Sequence, residues 1–484
     1  MGEIWLIEND ELNVKFVVKN PFIDFSQNFN YKTSIPDEAK ILITLDFHPN
    51  IITCIRIDII NKIPRYIMEY ANFGSLRDLM YERSLNLKDI LHIAIQICSG
   101  MFHAHNHPHS LIHRDLKPEN ILLSTIDINK GNDSESSLLI AKIADFGLVK
   151  QLLRTSTSSS DNSLPPYFAG TPGYASPEQH LYFEKTDKDS DIFSFGVILF
   201  EMITGYIPFI PTIEIFQNKR EEINNHIETS LKRYNVSCPP ELISIIKKCV
   251  QFDPSDRWKV EKESGKFQYF ETIKKDLIKI YEKYFQTYEY PFDNIPLSST
   301  LYQIRGRSLS NIREYNYAIK CYDKVLEQEP NNIDVLNNKG LDLFHLQKYE
   351  EAITCLDMVL ALDSNYVNAY TNKGLALAGL KRYEDAKWYF DKAIELDPNH
   401  KYAYNNKGLI LTIQENYPDA IDCYEEALKI DPNYIPALIN KAITLKLNQD
   451  DSASKVLDKA LKLDREETLY WIEMTTRTIR YKDQ

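Results

Sequence analysis

Basic charge is in short supply in this chain. Its 484 residues carry 56 Lys and Arg against 69 Asp and Glu, for a formal charge of −13. A surface of that sign repels phosphate backbones on average, which argues against nucleic acid as the main partner. Cysteine is sparse too: there are seven, an odd number, with no Cys-x-x-Cys pair. Met1 to Ile7 is too short and too acidic for a secretory leader, so free thiols in a reducing cytoplasm are expected rather than a disulfide framework. Long apolar runs are also missing. The most apolar stretch, Ile192 to Ile210, carries Glu201 and is interrupted by Gly205 and Pro208, which predicts a buried helix of a soluble domain and no membrane insertion.

What is present suits a folded chain, with 43% hydrophobic and 26% charged residues. That balance fits neither a disordered nor a membrane-embedded protein. The length exceeds one typical core, so at least two packed units are expected.

The first half is organised around His113-Arg114-Asp115-Leu116-Lys117-Pro118-Glu119-Asn120, followed at a distance by Asp145-Phe146-Gly147. An acid to orient a hydroxyl, a lysine two residues on for phosphate charge, and an asparagine and a second aspartate for metal ions form the set that phosphoryl transfer from ATP requires. Upstream, Ile4 to Leu6 and Lys15 to Val18 read as strands, with Lys19 ending the second. Glu38 opens a helical pattern that runs through Leu45, placed to pair with Lys19. Arg65 to Glu69 reads as a strand and Asn86 to Asn106 as a long amphipathic helix. His103, His105, His107, His109 and His113 crowd together, but no Cys or carboxylate completes a metal set, and a polar helix end is the simpler reading. Ser124 to Ser137 reads as a flexible insertion between two strands.

These motifs resemble the eukaryotic-like Ser/Thr protein kinase family. The resemblance implies an α+β bilobal fold with ATP and Mg²⁺ as cofactors and Ser/Thr-bearing proteins as substrates. It casts Asp115 as the residue that orients the substrate hydroxyl, Lys117 as the neutraliser of transferred charge, and Asn120 and Asp145 as metal ligands. Lys19 and Glu38 would be the phosphate-holding ion pair, Met68 would guard the back of the adenine pocket, and the backbone of Glu69 and Ala71 would meet adenine. Lys117 also accompanies Ser/Thr specificity in this family. One departure stands out. Met1-Gly2-Glu3-Ile4-Trp5-Leu6 looks like the tail of the family's glycine-rich loop, with Gly2 as its third glycine; the first strand and first two glycines are not there, so a truncated small lobe is expected.

Leu148 to Pro177 looks like an activation segment, rich in hydroxyls that include Thr155, Ser160 and Ser163, and ending in Gly170-Thr171-Pro172-Gly173-Tyr174-Ala175-Ser176-Pro177-Glu178. Arg114 and Lys150 occupy positions that, by resemblance, grip a phosphorylated side chain, and activation by phosphorylation within 155–163 is the corresponding expectation. Asp191 resembles the aspartate that holds the catalytic-loop backbone from below, and Arg257 the partner of Glu178. The kinase region is expected to span 1–285. Pro291 and Pro296 mark a linker over 286–299.

From about Thr300 a period of 34 residues appears: Gly306, Gly340, Gly374 and Gly408 are in phase, as are Tyr315, Tyr349, Tyr383 and Tyr417, and Ala318, Ala352, Ala386 and Ala420. This resembles the tetratricopeptide (TPR) family, pairs of antiparallel helices stacked into an all-α solenoid. About five repeats are expected over 300–468, the fifth departing from the pattern, with a capping helix over 469–484. Asn338, Asn372, Asn406 and Asn440 share one phase, and by resemblance would line a concave groove for protein or peptide ligands. The lysines that follow them, Lys339, Lys373, Lys407 and Lys441, are either a solvated stripe or an attraction for acidic partners. Two functions therefore compete: an active Ser/Thr kinase whose repeats recruit partners, and a catalytically impaired pseudokinase that acts as a TPR scaffold.

Overall fold

The structure, a computed structural model, describes residues 4–9, 14–20, 42–45, 47–60, 63–108, 110–127, 137–146, 171–181, 186–208, 222–233, 238–258, 267–288 and 298–480. The chain divides into two compact units, Met1–Pro296 and Leu297–Gln484.

The first unit begins with four strands, β1 (Ile4–Asn9), β2 (Val14–Lys19), β3 (Cys54–Ile60) and β4 (Ile63–Glu69). They form an antiparallel sheet in the order β1-β2-β4-β3, in which Val17 faces Met68 and Lys19 faces Tyr66. Alternation places Phe16, Val18, Tyr66 and Met68 in the core. Below follow helices α1 (Leu76–Glu82) and α2 (Leu87–His105), a short 3₁₀ turn at Pro118–Asn120, a hairpin of β5 (Ile121–Asp127) and β6 (Ser137–Ile143), and helices α3 (Pro177–Leu181), α4 (Asp189–Thr204), α5 (Glu222–Arg233), α6 (Pro240–Cys249) and α7 (Tyr269–Tyr284). β5 continues to Asp127, three residues beyond the expected start of the insertion.

Helix α2 starts where the Asn86 side chain accepts the Asp89 amide at 2.9 Å, a standard N-cap. It is buried along Ile90, Leu91, Ala94, Ile97, Cys98 and Met101, and α4 along Ile192 to Met202. Each buried Ile, Leu, Val, Phe or Met among them contributes roughly 1.5–3 kcal/mol on leaving water. This shared core is the platform under the polar loops. Gly100 permits the approach: a Cβ there would lie 2.7 Å from the Asn50 carbonyl oxygen.

The second unit is a run of helical hairpins: α8 (Ser299–Asn311) with α9 (Tyr315–Gln328), α10 (Ile333–His345) with α11 (Tyr349–Leu362), α12 (Val367–Gly379) with α13 (Tyr383–Leu396), α14 (Lys401–Ile413) with α15 (Tyr417–Ile430), and α16 (Ile435–Leu447) with α17 (Ala453–Leu463). The fifth pair makes the same hairpin despite its divergent sequence. Each turn carries one left-handed residue, Arg313, Gln347, Lys381, Glu415 and Gln449, with φ between 59° and 67°. The in-phase glycines meet large side chains of the second helix, Tyr322, Leu356, Phe390 and Tyr424; a Cβ on Gly374 would stand 2.5 Å from the Phe390 ring. That second period was not singled out in the sequence. The last helix, α18 (Arg465–Arg480), begins four residues before the expected Leu469. Asp464 alone connects it to α17, and its carboxylate caps the Glu466 and Glu467 amides at 3.0 and 3.1 Å.

Candidate active site

The loop from His113 to Asn120 hangs from one buried carboxylate. Asp191, fully buried at the start of α4, accepts the amides of His113 and Arg114 at 2.8 Å each and meets His105 Nε2 at 2.9 Å. Burial alone would raise this carboxyl, yet the His105 contact and the amide donors hold it below its ordinary value. Burial pushes the His113 imidazole down. As a neutral ring it donates from Nε2 to the Ala144 carbonyl at 2.8 Å and accepts the Asp115 amide on Nδ1 at 3.3 Å. Its ring also packs 4.9 Å from that of Phe146. One imidazole thus ties the loop carrying Asp115 to the segment carrying Asp145. Arg114 and Asp145 sit at φ 64° and 61°, strained positions where functional side chains are often aimed.

At the loop's tip, Lys117 Nζ lies 3.2 Å from Asp115 Oδ2. Thr171 closes a triangle, accepting from Lys117 at 2.7 Å and donating to Asp115 Oδ1 at 2.9 Å. Asn120 donates to the Asp115 carbonyl at 2.8 Å, so its side-chain oxygen remains the acceptor suited to a cation. Across the cleft, Lys19 at the end of β2 forms an ion pair with Asp145. Met68 is buried on β4. The Glu69 amide donates to the Thr53 carbonyl at 3.0 Å, while its carboxylate takes the Thr53 amide at 2.7 Å and Lys142 at 3.0 Å. Ala71 follows directly on the loop toward α1.

Glu178 and Arg257 form a buried bidentate pair at 2.7 and 2.8 Å, which anchors α3. Gly2, Glu38, Lys150, Thr155, Ser160 and Ser163 lie outside the described residues.

Several positioning side chains escaped the sequence reading. Asn50 donates to Gln96 Oε1 and to the Ala141 carbonyl, 2.9 Å each, and Gln96 Oε1 in turn accepts the Ala141 amide at 2.9 Å. Together they fix β6, the strand that delivers Asp145. Gln179 donates to the Arg114 carbonyl at 2.8 Å. Arg77 bridges Glu119 at 2.9 Å and Glu201 at 2.8 Å and also meets the Tyr174 hydroxyl. Gln96, Glu119, Tyr174 and Glu201 lay in stretches already noticed, but without these partners. Among the described residues the crowded histidines take separate partners: the His48 ring lies tilted 4.8 Å from that of His103 and burial drives His48 down to about 3, while His107 faces the Thr44 carbonyl at 3.4 Å; His109 lies outside the described residues.

In the repeats, Asn372 donates to Asn337 at 3.0 Å and Asn440 to Asn405 at 2.9 Å, cross-links between successive first helices. Asn338, Asn372 and Asn406 remain half-buried, whereas Asn440 is buried and accepts from Thr475 of α18 at 2.8 Å. Lys339, Lys407 and Lys441 reach back 16 residues to Asp323, Asp391 and Glu425 at 2.5, 2.6 and 2.8 Å, and Lys373 does the same to Asp357. The lysine stripe is therefore matched within the chain by an acidic stripe on the preceding helix, and an acidic ligand would have to displace it.

The family profile of the protein kinase domain matches residues 1–268. The chain belongs to the protein kinase family. Profiles of the tetratricopeptide repeat match residues 367–400 and 402–434, and another TPR profile matches 340–381, so the kinase domain is followed by TPR helices. Among relatives of the kinase domain, serine/threonine-protein kinase PrkC of Bacillus subtilis is 30% identical over 267 residues, 54% of this chain and 37% of its own length. Serine/threonine-protein kinase A of Synechocystis is 32% identical over 202 residues, 40% of this chain and 36% of its own. Serine/threonine-protein kinase PknB of Mycolicibacterium smegmatis is 29% identical over 224 residues, 46% of this chain and 31% of its own. The chain thus spans about a third of the length of these curated relatives. Among the described residues, no helix is long and apolar enough to cross a membrane.

Proposed function

We propose that the kinase domain transfers the γ-phosphoryl group of ATP to Ser or Thr hydroxyls of protein substrates, and that the repeats recruit protein partners or substrates. The observation that carries the reading is the Asp115, Lys117, Thr171 triangle, in which a carboxylate and an ammonium already share an alcohol. Asp115 takes the proton of the substrate hydroxyl, and Lys117 balances charge that gathers on the transferred group. Thr171 keeps both side chains aligned.

The residues present fit a magnesium nucleotide. Asp145 and the side-chain oxygen of Asn120 are hard oxygen donors of the kind Mg²⁺ takes, and Asp145 already faces a cation, Lys19. Bound Mg²⁺ would neutralise the phosphate oxygens. Lys19, oriented by Glu38, holds the phosphates; Gly2 contributes backbone to their cover; Met68 closes the back of the adenine pocket. The Glu69 carbonyl and the Ala71 amide meet adenine, the Glu69 amide being taken by Thr53.

Arg114 and Lys150 grip a phosphate acquired within 155–163, at residues such as Thr155, Ser160 or Ser163. Phosphopeptide mapping of the full chain after incubation with ATP finds that phosphate; an unmodified 155–163 rules the grip out. Asn338, Asn372 and Asn406 offer amides to the partner. Phosphoamino-acid analysis of an acceptor treated with the full chain and labelled ATP gives phosphoserine and phosphothreonine. Phosphotyrosine alone would contradict the assignment.

A further inference from the structure

Helix α18 reaches much further than a cap requires. Covering the last repeat takes only Trp471 and Ile472, which pack on Ile435, Leu438 and Ala460 of α16 and α17. Beyond that, Tyr470 lies under the Arg313 guanidinium of the first repeat, 4.7 Å from cation to ring centre. Thr475 donates to Asn440, the fourth member of the asparagine phase. Ile479 packs against the cluster formed by Leu377, Phe390, Ile410 and Ile413 of the third and fourth repeats. A single helix therefore touches the first, third-to-fourth and fifth repeats, and meets one of the amides assigned to the groove.

We propose that α18 is a built-in occupant of the repeat groove, and that the partner the groove takes is an amphipathic helix that reproduces its inward face. Thr468, Ile472, Thr475 and Ile479 define that face, spaced four, three and four apart along a helix, with Thr468 and Thr475 buried. The partner's chemistry follows: a hydroxyl at the Thr475 position to meet a groove amide and a branched apolar side chain at the Ile479 position to meet the cluster around Phe390, with little net charge because the lysine stripe is already paired. The one-residue tether at Asp464 keeps the occupant at high local concentration; for a groove closed about 99% of the time, an external helix binds about 100-fold more weakly than to an open one. The inference rests on the repeats being a protein-binding groove.

The test uses a labelled peptide of residues 465–484, titrated by fluorescence anisotropy into the full chain and into the full chain carrying Thr475→Val with Ile479→Asp. The double variant is expected to bind the peptide at least ~30-fold more tightly than the unmodified chain, with an Ile479→Asp peptide binding neither. Equal affinity for both chains, with the variant's helical circular dichroism intact, overturns the proposal. If the variant loses its helical signal, hydrogen exchange on the unmodified chain decides. α18 amides exchanging at least ~10-fold faster than those of α14 and α16 mark a displaceable helix, whereas exchange in step with them marks a welded cap and overturns the proposal. A failure of recruitment itself reads differently: replacing Asn338, Asn372 and Asn406 with Ala would leave partner-dependent phosphorylation unchanged.

Discussion

Lys19 and Asp145, 126 residues apart in the chain, meet as a direct ion pair across the cleft of the kinase domain. The two residues proposed to hold a magnesium nucleotide thus face each other, each serving as the other's counter-ion. Lys19→Met removes the cation proposed to position the phosphates and leaves Asp145 without its ion-pair partner. The expected result is a loss of at least ~100-fold in the rate of phosphoryl transfer, measured with labelled ATP, with the thermal melt of the full chain within about 2 °C of the unmodified protein.

Thr171 joins Asp115 to Lys117 through two hydrogen bonds, one to a carboxylate and one from an ammonium. A hydrogen bond to a charged group contributes ~1.5–3 kcal/mol, which converts to roughly ten- to a hundredfold in rate. Thr171→Val lowers kcat by that factor with little change in KM for ATP, and Thr171→Ser retains most of the activity. Steady-state kinetics on both variants separates an aligning hydroxyl from a packing methyl group.

Arg257 and Glu178 are buried together, so removing one strands the other. Arg257→Ala is expected to cost ~3–5 kcal/mol of stability. Urea unfolding followed on the full chain checks this, and the paired replacement Arg257→Met with Glu178→Leu recovers most of the loss, because two stranded charges become two packed side chains.

Asp342, fully buried on α10, has among the described residues the Ser310 hydroxyl alone, at 2.6 Å, to offset its burial, which raises it from 3.8 to about 7. The sign follows from proton counting. Between these two values the unfolded chain has lost the proton and the folded chain still holds it, so stability is greatest below the lower value and falls as pH rises to about 7. The melting temperature of the repeats is therefore lower at pH 8 than at pH 5. Asp342→Asn flattens that dependence and raises the melting temperature at pH 8; a wild-type profile retained in the variant would assign the dependence to another group.

Much of this is legible in the sequence. The eight-residue string around Asp115, the distant Asp145 and the repeat period are local patterns, each forced by short-range needs: a loop that presents donors and acceptors, and helices that pass close enough to require glycine. Arg77 reaching Glu201, and Asn50 clasping Gln96, escaped notice because each joins stretches that only the tertiary core brings together. The lysine stripe had two open readings in the sequence. Its acidic partners, 16 residues upstream, lie on a different helix, and neither helical periodicity nor the repeat period pairs them. The reach of α18 escaped notice because it joins Tyr470 to Arg313 of the first repeat and Ile479 to the third and fourth, residues that only the stacked helices bring together.

Transfer of labelled phosphate from ATP to a Ser/Thr-rich acceptor, by the full chain and by its Asp115→Asn variant under identical conditions, tests the central claim most directly. The account predicts turnover by the unmodified chain and a drop of ~10²–10⁴-fold in the variant, the range a positioned proton acceptor contributes. Equal incorporation by both proteins, or none by either in the presence of Mg²⁺, would contradict it.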